Sequence, residues 1–368
     1  MSQRERVLVT GVPDFRARFF VEYLLANEPE AQIFCLVERD RSEAAEQFVL
    51  ALSQSDKRRL VLLYGNCRAI DFGLSGSEYH QLGSRVTRIH HMSQLTDPRA
   101  DRHRAESHNL AAAEEVIEFA RQCTPLKLLL AHSTAWVSGN RTGVVLESEL
   151  DAGQSFRLPV RESLAVAEQL YRCAMKDLPI AVLRESQVLG DSRTGESDRD
   201  DSTFRWIRRL VRAPELPAWL PGHERCPLNV VPLDYLVAAA HRIGHWEGAA
   251  GKTFHLTDPD PPSVRRAVEM IAEASGKRPP PARLFKNPLA KALLRAPGLG
   301  RLTQDPRALL ELLTVDVRYD AQHTRLALEG TQVQCPPLES YVGALVRRAQ
   351  VESATAAASP DSEVYDPL

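Results

Sequence analysis

The sequence predicts an α/β protein built on a doubly wound parallel sheet. Two observations carry that expectation. Short apolar runs at 7–10, 33–37, 60–66, 86–94 and 126–130 alternate with longer helical stretches, the pattern of repeated βαβ units. The first run passes through Gly11 into a helix predicted at 19–27. Strand, glycine turn and helix therefore follow in the order a dinucleotide-binding turn requires.

The bulk numbers narrow the class. A chain of 368 residues is long enough for one large domain or two smaller ones with a real core. A formal charge of -2 gives no electrostatic case for nucleic acid or a membrane surface. Cys35, Cys67, Cys123, Cys173, Cys226 and Cys335 are scattered without a paired motif. No zinc site or disulfide framework is expected, which fits a reducing compartment. The chain runs from Met1 into its first strand with no signal-like segment and no long apolar span. A cytoplasmic protein with no membrane span and no metal is expected.

The elements follow in order. After Val7, Leu8, Val9 and Thr10 comes Gly11-Val12-Pro13-Asp14-Phe15-Arg16-Ala17-Arg18. In a T-G-x-x-G-x-x-G/A turn the middle glycine lets backbone approach a pyrophosphate. That position holds Asp14, which adds bulk and negative charge at a helix N-terminus otherwise suited to anions. Arg16 and Arg18 are the expected compensators. The same pattern also fits a surviving βα turn that holds no cofactor. The second run ends at Glu38-Arg39-Asp40. A basic residue there suits a 2′-phosphate and favours NADP over NAD, and equally suits a solvated turn. The third run ends at Gly65-Asn66, and the fourth carries His90, His91 and Ser93. A helix is predicted at 109–122 with Asn109 at its start. The strand at 126–130 continues into Ala131-His132-Ser133-Thr134-Ala135-Trp136-Val137.

These segments, with Gly190 to Glu196, Pro227 to Tyr235, Thr253 to Pro259 and Val317 to Asp320, resemble extended short-chain dehydrogenases of the thioester-reductase and fatty-acyl-CoA-reductase-like group. The resemblance runs in order over roughly residues 5 to 348. It implies a Rossmann-type parallel sheet with a smaller, mostly helical, C-terminal substrate-binding part. The expected division is 1–265 for the dinucleotide-binding domain, with substrate segments at about 191–230, then 266–349 for the substrate part. Arg278-Pro279-Pro280-Pro281 breaks the chain before a helical region, and 350–368 is expected as a disordered tail. Thr10, Gly11, Asp14, Phe15, Arg39, Asn66 and Ser93 are the residues expected around an NADP or NAD molecule. Asn66 stands where the family has an Asp that touches adenine, and His91 has a structural place.

The resemblance also implies a Ser/Thr, a Tyr and a Lys for carbonyl reduction. Thr134, with Ser133 beside it, fills the first slot. The Tyr and Lys slots hold Val160 and Leu164. Pro159, Ser163, Ala167 and Glu168 keep the frame around them. A spacing of four puts both slots on one helix face. Loss of acid–base help is worth roughly 100- to 10,000-fold. Arg184-Glu185-Ser186 replaces the family's R-P-G, placing volume and charge where a nicotinamide should lie. The leading expectation is therefore a catalytically degenerate reductase-like module that binds a nucleotide, an acyl or other small ligand, or a protein partner. The alternative is an NADP-dependent reductase of a thioester, aldehyde or ketone, with Thr134 orienting the carbonyl and His132 supplying the proton. His132 is two residues before Thr134, so both share a strand face. A lyase or isomerase reading has no residue constellation behind it. Arg161 and Glu162 are expected at the surface, as charges at a helix start commonly are. The pattern Leu164, Ala165, Ala167 and Leu170 suits a homodimer face or packing on the sheet.

Overall fold

The computed structural model describes residues 4–198, 201–213, 226–279 and 311–358. The elements are β1 (Arg6–Thr10), α1 (Phe15–Asn27), β2 (Gln32–Val37), α2 (Ser42–Ala51), α3 (Gln54–Lys57), β3 (Leu60–Tyr64), α4 (Gly76–Gly83), β4 (Arg88–His91), α5 (Arg102–Gln122) and β5 (Leu128–Thr134). They continue with β6 (Gly143–Val145), α6 (Pro159–Ala174), β7 (Ile180–Glu185), β8 (Gln187–Val188), α7 (Ser202–Arg212), β9 (Val230–Val231), α8 (Leu233–Gly244), β10 (Thr253–Leu256), α9 (Val264–Ala274) and β11 (Val317–Tyr319). Two further helices follow, Gln322–Leu328 and Leu338–Ala358.

Seven strands form one sheet in the order β10-β7-β5-β4-β1-β2-β3, and every pair in it is parallel. This is the doubly wound architecture the alternating pattern predicts, and it matches the expected Rossmann-type sheet. The order reverses between β1 and β4, where the carboxyl ends open a crevice.

The strands read as continuous apolar runs because both faces are covered. Successive residues still divide strictly. Val7 and Val9 pack with Phe20 of α1 and Leu236 of α8, whereas Leu8 packs with Val116 of α5 and Tyr171 of α6. Leu130 and Leu183 belong to the first set, Leu129 and Val182 to the second. Fully burying a side chain such as Phe20 contributes roughly 1.5–3 kcal/mol. The alternation fixes the chemistry at the strand ends. His132 and Glu185 face α1, while Ser133 and Arg184 face α6.

A second apolar cluster gathers Phe204 and Ile207 of α7, Val264 and Ile271 of α9, and Tyr341 and Leu345 of the C-terminal helix. The short β8–β9 ladder joins it to the sheet. The segment Gln322–Leu328 instead returns to the main core, where Ala327 is buried. The C-terminal helix runs through Ala358, so the boundary expected at 349 falls inside a helix. Residues 359–368, and 280–310 after the Arg278-Pro279 break, lie outside the described residues.

Two helix starts differ from expectation. Helix α1 begins at Phe15, not residue 19. Helix α5 begins at Arg102, capped by Asp101, whose carboxylate accepts from the Arg104 N–H. Asn109 is buried mid-helix. Its carboxamide accepts from Leu95 N–H at 2.9 Å and donates to Leu95 O at 3.1 Å and to Ser163 Oγ at 2.9 Å. An Asn disfavoured inside a helix by local preference is kept there by a loop and a neighbouring helix. Pro159 opens α6, where its missing N–H costs no hydrogen bond.

Candidate functional site

The β1–α1 turn comes within contact of the β4 end. Gly11 has φ +88°, and a Cβ there would lie 3.0 Å from the Met92 carbonyl. Only glycine fits that conformation and that approach. Thr10 Oγ1 accepts from Met92 N–H at 3.0 Å and Ser93 N–H at 3.1 Å, and lies 3.0 Å from His91 Nδ1. Its hydroxyl therefore ties β1 to β4. Burial pushes His91 down to about 3. His91 thus has the structural place expected of it.

A cavity of about 360 Å³ lies over this turn, lined by Gly11, Asp14, Phe15, Glu38, Ser93 and His108 among others. The expected pair Arg16 and Arg18 does not neutralise Asp14. Arg41 does, in an ion pair at the cavity wall. Arg18 instead lies over the Phe48 ring, 6.0 Å from its centroid. Arg39 is not among the lining residues, so Arg41 is the cation a phosphate would meet on this side. Asn66 turns its amide oxygen onto Arg68 at 2.9 Å and 3.1 Å, and Arg68 reaches Glu38 at 3.1 Å. Cys67 takes the lining place beside it, donating to Ser93 Oγ at 3.2 Å.

A second cavity of about 470 Å³ adjoins the first through Phe15, Arg16, Gln94 and Asp97. Ser133, Thr134, Val160 and Leu164 all line it. Val160 and Leu164, the residues expected at the Tyr and Lys positions, thus face the cleft with apolar walls. Ser133 Oγ donates to Glu168 at 3.2 Å. Thr134 Oγ1 accepts from Trp136 N–H at 3.2 Å and makes only a long 3.4 Å bond to Glu185 O. Its proton is the one most easily turned toward a carbonyl in the cleft.

The structure corrects three readings of this end. His132 does share the Thr134 face, but it lies under the cleft, 2% exposed. Its Nδ1 lies 2.6 Å from Glu185 Oε1 and its Nε2 lies 3.2 Å from His90 Nδ1, so it touches substrate space only through Glu185. Glu185 does not leave a loose charge at the nicotinamide wall, because its other oxygen takes Arg16 Nη1 at 2.6 Å. Burial raises the Glu185 carboxyl, but the Arg16 charge and the hydrogen bond from His132 outweigh it and hold the group below its ordinary range. Arg161 is not a surface charge. It packs over Trp136, 4.0 Å from the ring centroid, and pairs with Glu311 inside the cleft wall. Glu162 meets Arg102 at 2.7 Å on the outside.

Sequence reasoning missed several groups. Glu168, fully buried, receives Arg184 through both oxygens at 2.7–3.0 Å, and Arg172 at 3.0 Å. Asp201 caps α7 through Thr203 and Phe204 N–H at 2.8 Å and lines the cleft. Burial pushes its carboxyl up to about 6. A strand-end carboxylate in place of the family's proline was the one available signal for Glu185. Its partner was not legible, because pairing of β5 with β7 is needed to see it. On the opposite edge, Glu28, His241 and His245 bring ligating atoms within 4.8 Å. Arg88 already supplies positive charge there, 3.0 Å from His245 Nε2, which disfavours an added cation.

Comparison with known proteins agrees with this architecture. Residues 9–240 match the NAD-binding family model described as male sterility protein. The chain is 24% identical over 268 residues to the non-canonical nonribosomal peptide synthetase cpsA of Aspergillus campestris, covering 68% of this chain and 25% of that protein. It is 24% identical over 277 residues to a linear gramicidin synthase protein of Brevibacillus parabrevis, covering 70% and 5%. The chain thus spans a quarter or less of these two relatives. A probable fatty acyl-CoA reductase 4 of Arabidopsis thaliana is 24% identical over 357 residues, covering 88% and 64%. Among solved structures, the terminal R domain of the myxalamid PKS-NRPS pathway superposes with TM-score 0.79 at 24% identity, covering 96% and 92%. A thiolation-reductase di-domain from an archaeal non-ribosomal peptide synthetase gives 0.74 at 14%, covering 95% and 76%. At these identities the structural likeness shows the fold. No described helix is long and apolar enough to cross a membrane.

Proposed function

The chain belongs to the male sterility protein family of NAD-binding, thioester- and acyl-CoA-reductase-like proteins, and on that premise we propose that it binds a nicotinamide dinucleotide and reduces a thioester, aldehyde or ketone carbonyl. The observation that carries the reading is the tying of Glu185 to His132 and Arg16. It removes the charge objection at the nicotinamide wall and leaves one continuous cleft from Gly11 to Thr134.

The residues fit such a group. Gly11 leaves no Cβ between the turn and β4, the N-terminus of α1 offers N–H groups to a pyrophosphate, and Arg41 and Arg16 stand at its walls. Arg41 supports NADP over NAD. When bound, the dinucleotide would supply the hydride. Thr134 donates its hydroxyl to the substrate oxygen, and Val160 and Leu164 exclude water from one side without offering a proton. His132 acts only through Glu185. The relatives that are parts of synthetases, and the di-domain whose partner is a thiolation module, support an acyl thioester carried by a protein as one substrate source.

The test is NADPH oxidation by the purified chain with an acyl-CoA and with an aldehyde, against Thr134→Ala. Turnover that falls roughly 100- to 1,000-fold in the variant, the range for losing one oxyanion donor, is expected. Turnover independent of Thr134 defeats the mechanism.

A second reading, binding without turnover, is favoured by one observation: Val160 and Leu164 present only hydrocarbon at the slots for Tyr and Lys. Nucleotide binding with no hydride transfer to any carbonyl probe would select it.

A further inference from the structure

Arg16 stands between two anionic claims. It is the second residue of α1, so it projects from the helix end that favours negative groups. It lines both cavities, and its side chain is 31% exposed. In this structure its guanidinium is given to Glu185 at 2.6 Å. Glu185 is 3% exposed, and its other oxygen faces His132 Nδ1 at 2.6 Å. Behind His132, the His90 ring closes the chain at 3.2 Å and lies against Phe20.

We propose that Arg16 is a shared cation: it passes from Glu185 to the pyrophosphate of a bound dinucleotide, and the His132–Glu185 pair takes up one proton in its place. The inference rests on the dinucleotide-binding reading above and adds the coupling. A buried carboxylate without a cation is strongly disfavoured. With Arg16 drawn away, the partner left to Glu185 is an imidazole. A proton on that imidazole restores a neutral ion pair at the same 2.6 Å contact. Atom balance is simple: His132 gains one proton from solvent, and no covalent bond to carbon changes. The pair thereby holds a proton beside Thr134 when reduced nicotinamide is in place.

Among the described residues, these titratable and charged groups surround the pair. Arg16 comes from α1, His90, Arg88 and His91 from β4, and His241 and His245 from α8. Asp198 and Asp201 line the cleft beside Arg16. Arg88 of β4 and Arg16 are permanent cations, and both oppose a further positive charge on this face. They make the uptake conditional on Arg16 leaving.

Calorimetric titration of the full chain with NADH and with NADPH, in buffers of different ionisation enthalpy between about pH 6.5 and 8, tests this. Uptake approaching one proton per NADH is expected. Affinity should then fall up to about tenfold per pH unit, the slope of one linked proton. The 2′-phosphate of NADPH itself titrates near about pH 6, so its contribution is read from Glu185→Gln. Loss of uptake in both Glu185→Gln and Arg16→Gln is expected. If Glu185→Gln does not fold, Arg16→Gln alone decides, since it changes a partly exposed helix residue. Binding with no proton uptake, or uptake unchanged in Arg16→Gln, overturns the inference and leaves the binding reading intact. No binding of either nucleotide at millimolar concentration overturns both.

Discussion

Arg184 Nη2 lies 2.7 Å from Glu168 Oε1, with both side chains essentially inaccessible to solvent. The pair bolts the end of β7 to α6, the helix that carries Val160 and Leu164. Ser133 donates to the same carboxylate. The orientation of α6 against the sheet is therefore fixed, and the side chains it turns to the cleft at 160 and 164 are hydrocarbon.

Breaking that bolt on one side should be costly. Glu168→Ala leaves a buried guanidinium without its carboxylate, and a loss of about 3–5 kcal/mol in unfolding free energy is expected. Urea denaturation measures it. Replacing Arg184 by Met and Glu168 by Leu together should recover most of the loss, because the buried guanidinium goes with its carboxylate and the partly exposed Arg172 keeps the Glu147, Ser148 and Glu149 carbonyls it already bonds.

The slots can be refilled. Val160→Tyr with Leu164→Lys places both groups on the helix face that lines the cleft. If the frame is as described, carbonyl reduction should rise by about 100- to 10,000-fold, the usual worth of acid–base help. Steady-state NADPH oxidation reads the change. A folded double variant with no gain would mean that Thr134 or the nucleotide is misplaced.

Gly11→Ala should both destabilise the protein and abolish nucleotide binding. The residue has φ +88°, and its new Cβ would meet the Met92 carbonyl at 3.0 Å. A loss of about 1–3 kcal/mol is expected from strain of this kind. Thermal unfolding with and without NADPH separates the two effects.

Stability should fall as pH drops below neutrality. Burial holds His90 well below its ordinary value and brings His91 and His255 to about 3. Each has a folded pKa depressed below an unfolded value near about 6.5. Their contribution is therefore present above about pH 6.5 and is lost as pH falls from there toward 3. Below about 6.5 each histidine removes up to about 1.4 kcal/mol per pH unit. Denaturation curves from neutral pH down into the acid range should show midpoints falling steeply. A flat profile would show that these rings charge without cost in the fold.

Much was legible in the chain alone. The periodicity of apolar runs determined the parallel sheet, since strands covered on both faces must be apolar throughout. Gly11 and the helix after it located the crevice, and the frame of Pro159, Ser163 and Glu168 located α6. Val160 and Leu164 are apolar by residue type, and both line the cleft. Charges were misplaced. Arg161 and Asn109 looked like helix-start residues because local preference puts such groups there, yet Trp136 and Glu311 claim one and Leu95 and Ser163 the other.

The sequence by itself thus determined which residue types stand at the strand ends, because side-chain alternation and turn chemistry are local properties. Which charge answers which was decided only by tertiary structure. His132 and Glu185 are far apart in the chain and meet because β5 and β7 pair in register, with Thr134 opposite Glu185. Arg16 reaches them because α1 lies across the same face. Long flexible ionic side chains take the partner that lies within reach in space, and no spacing along the chain encodes that choice.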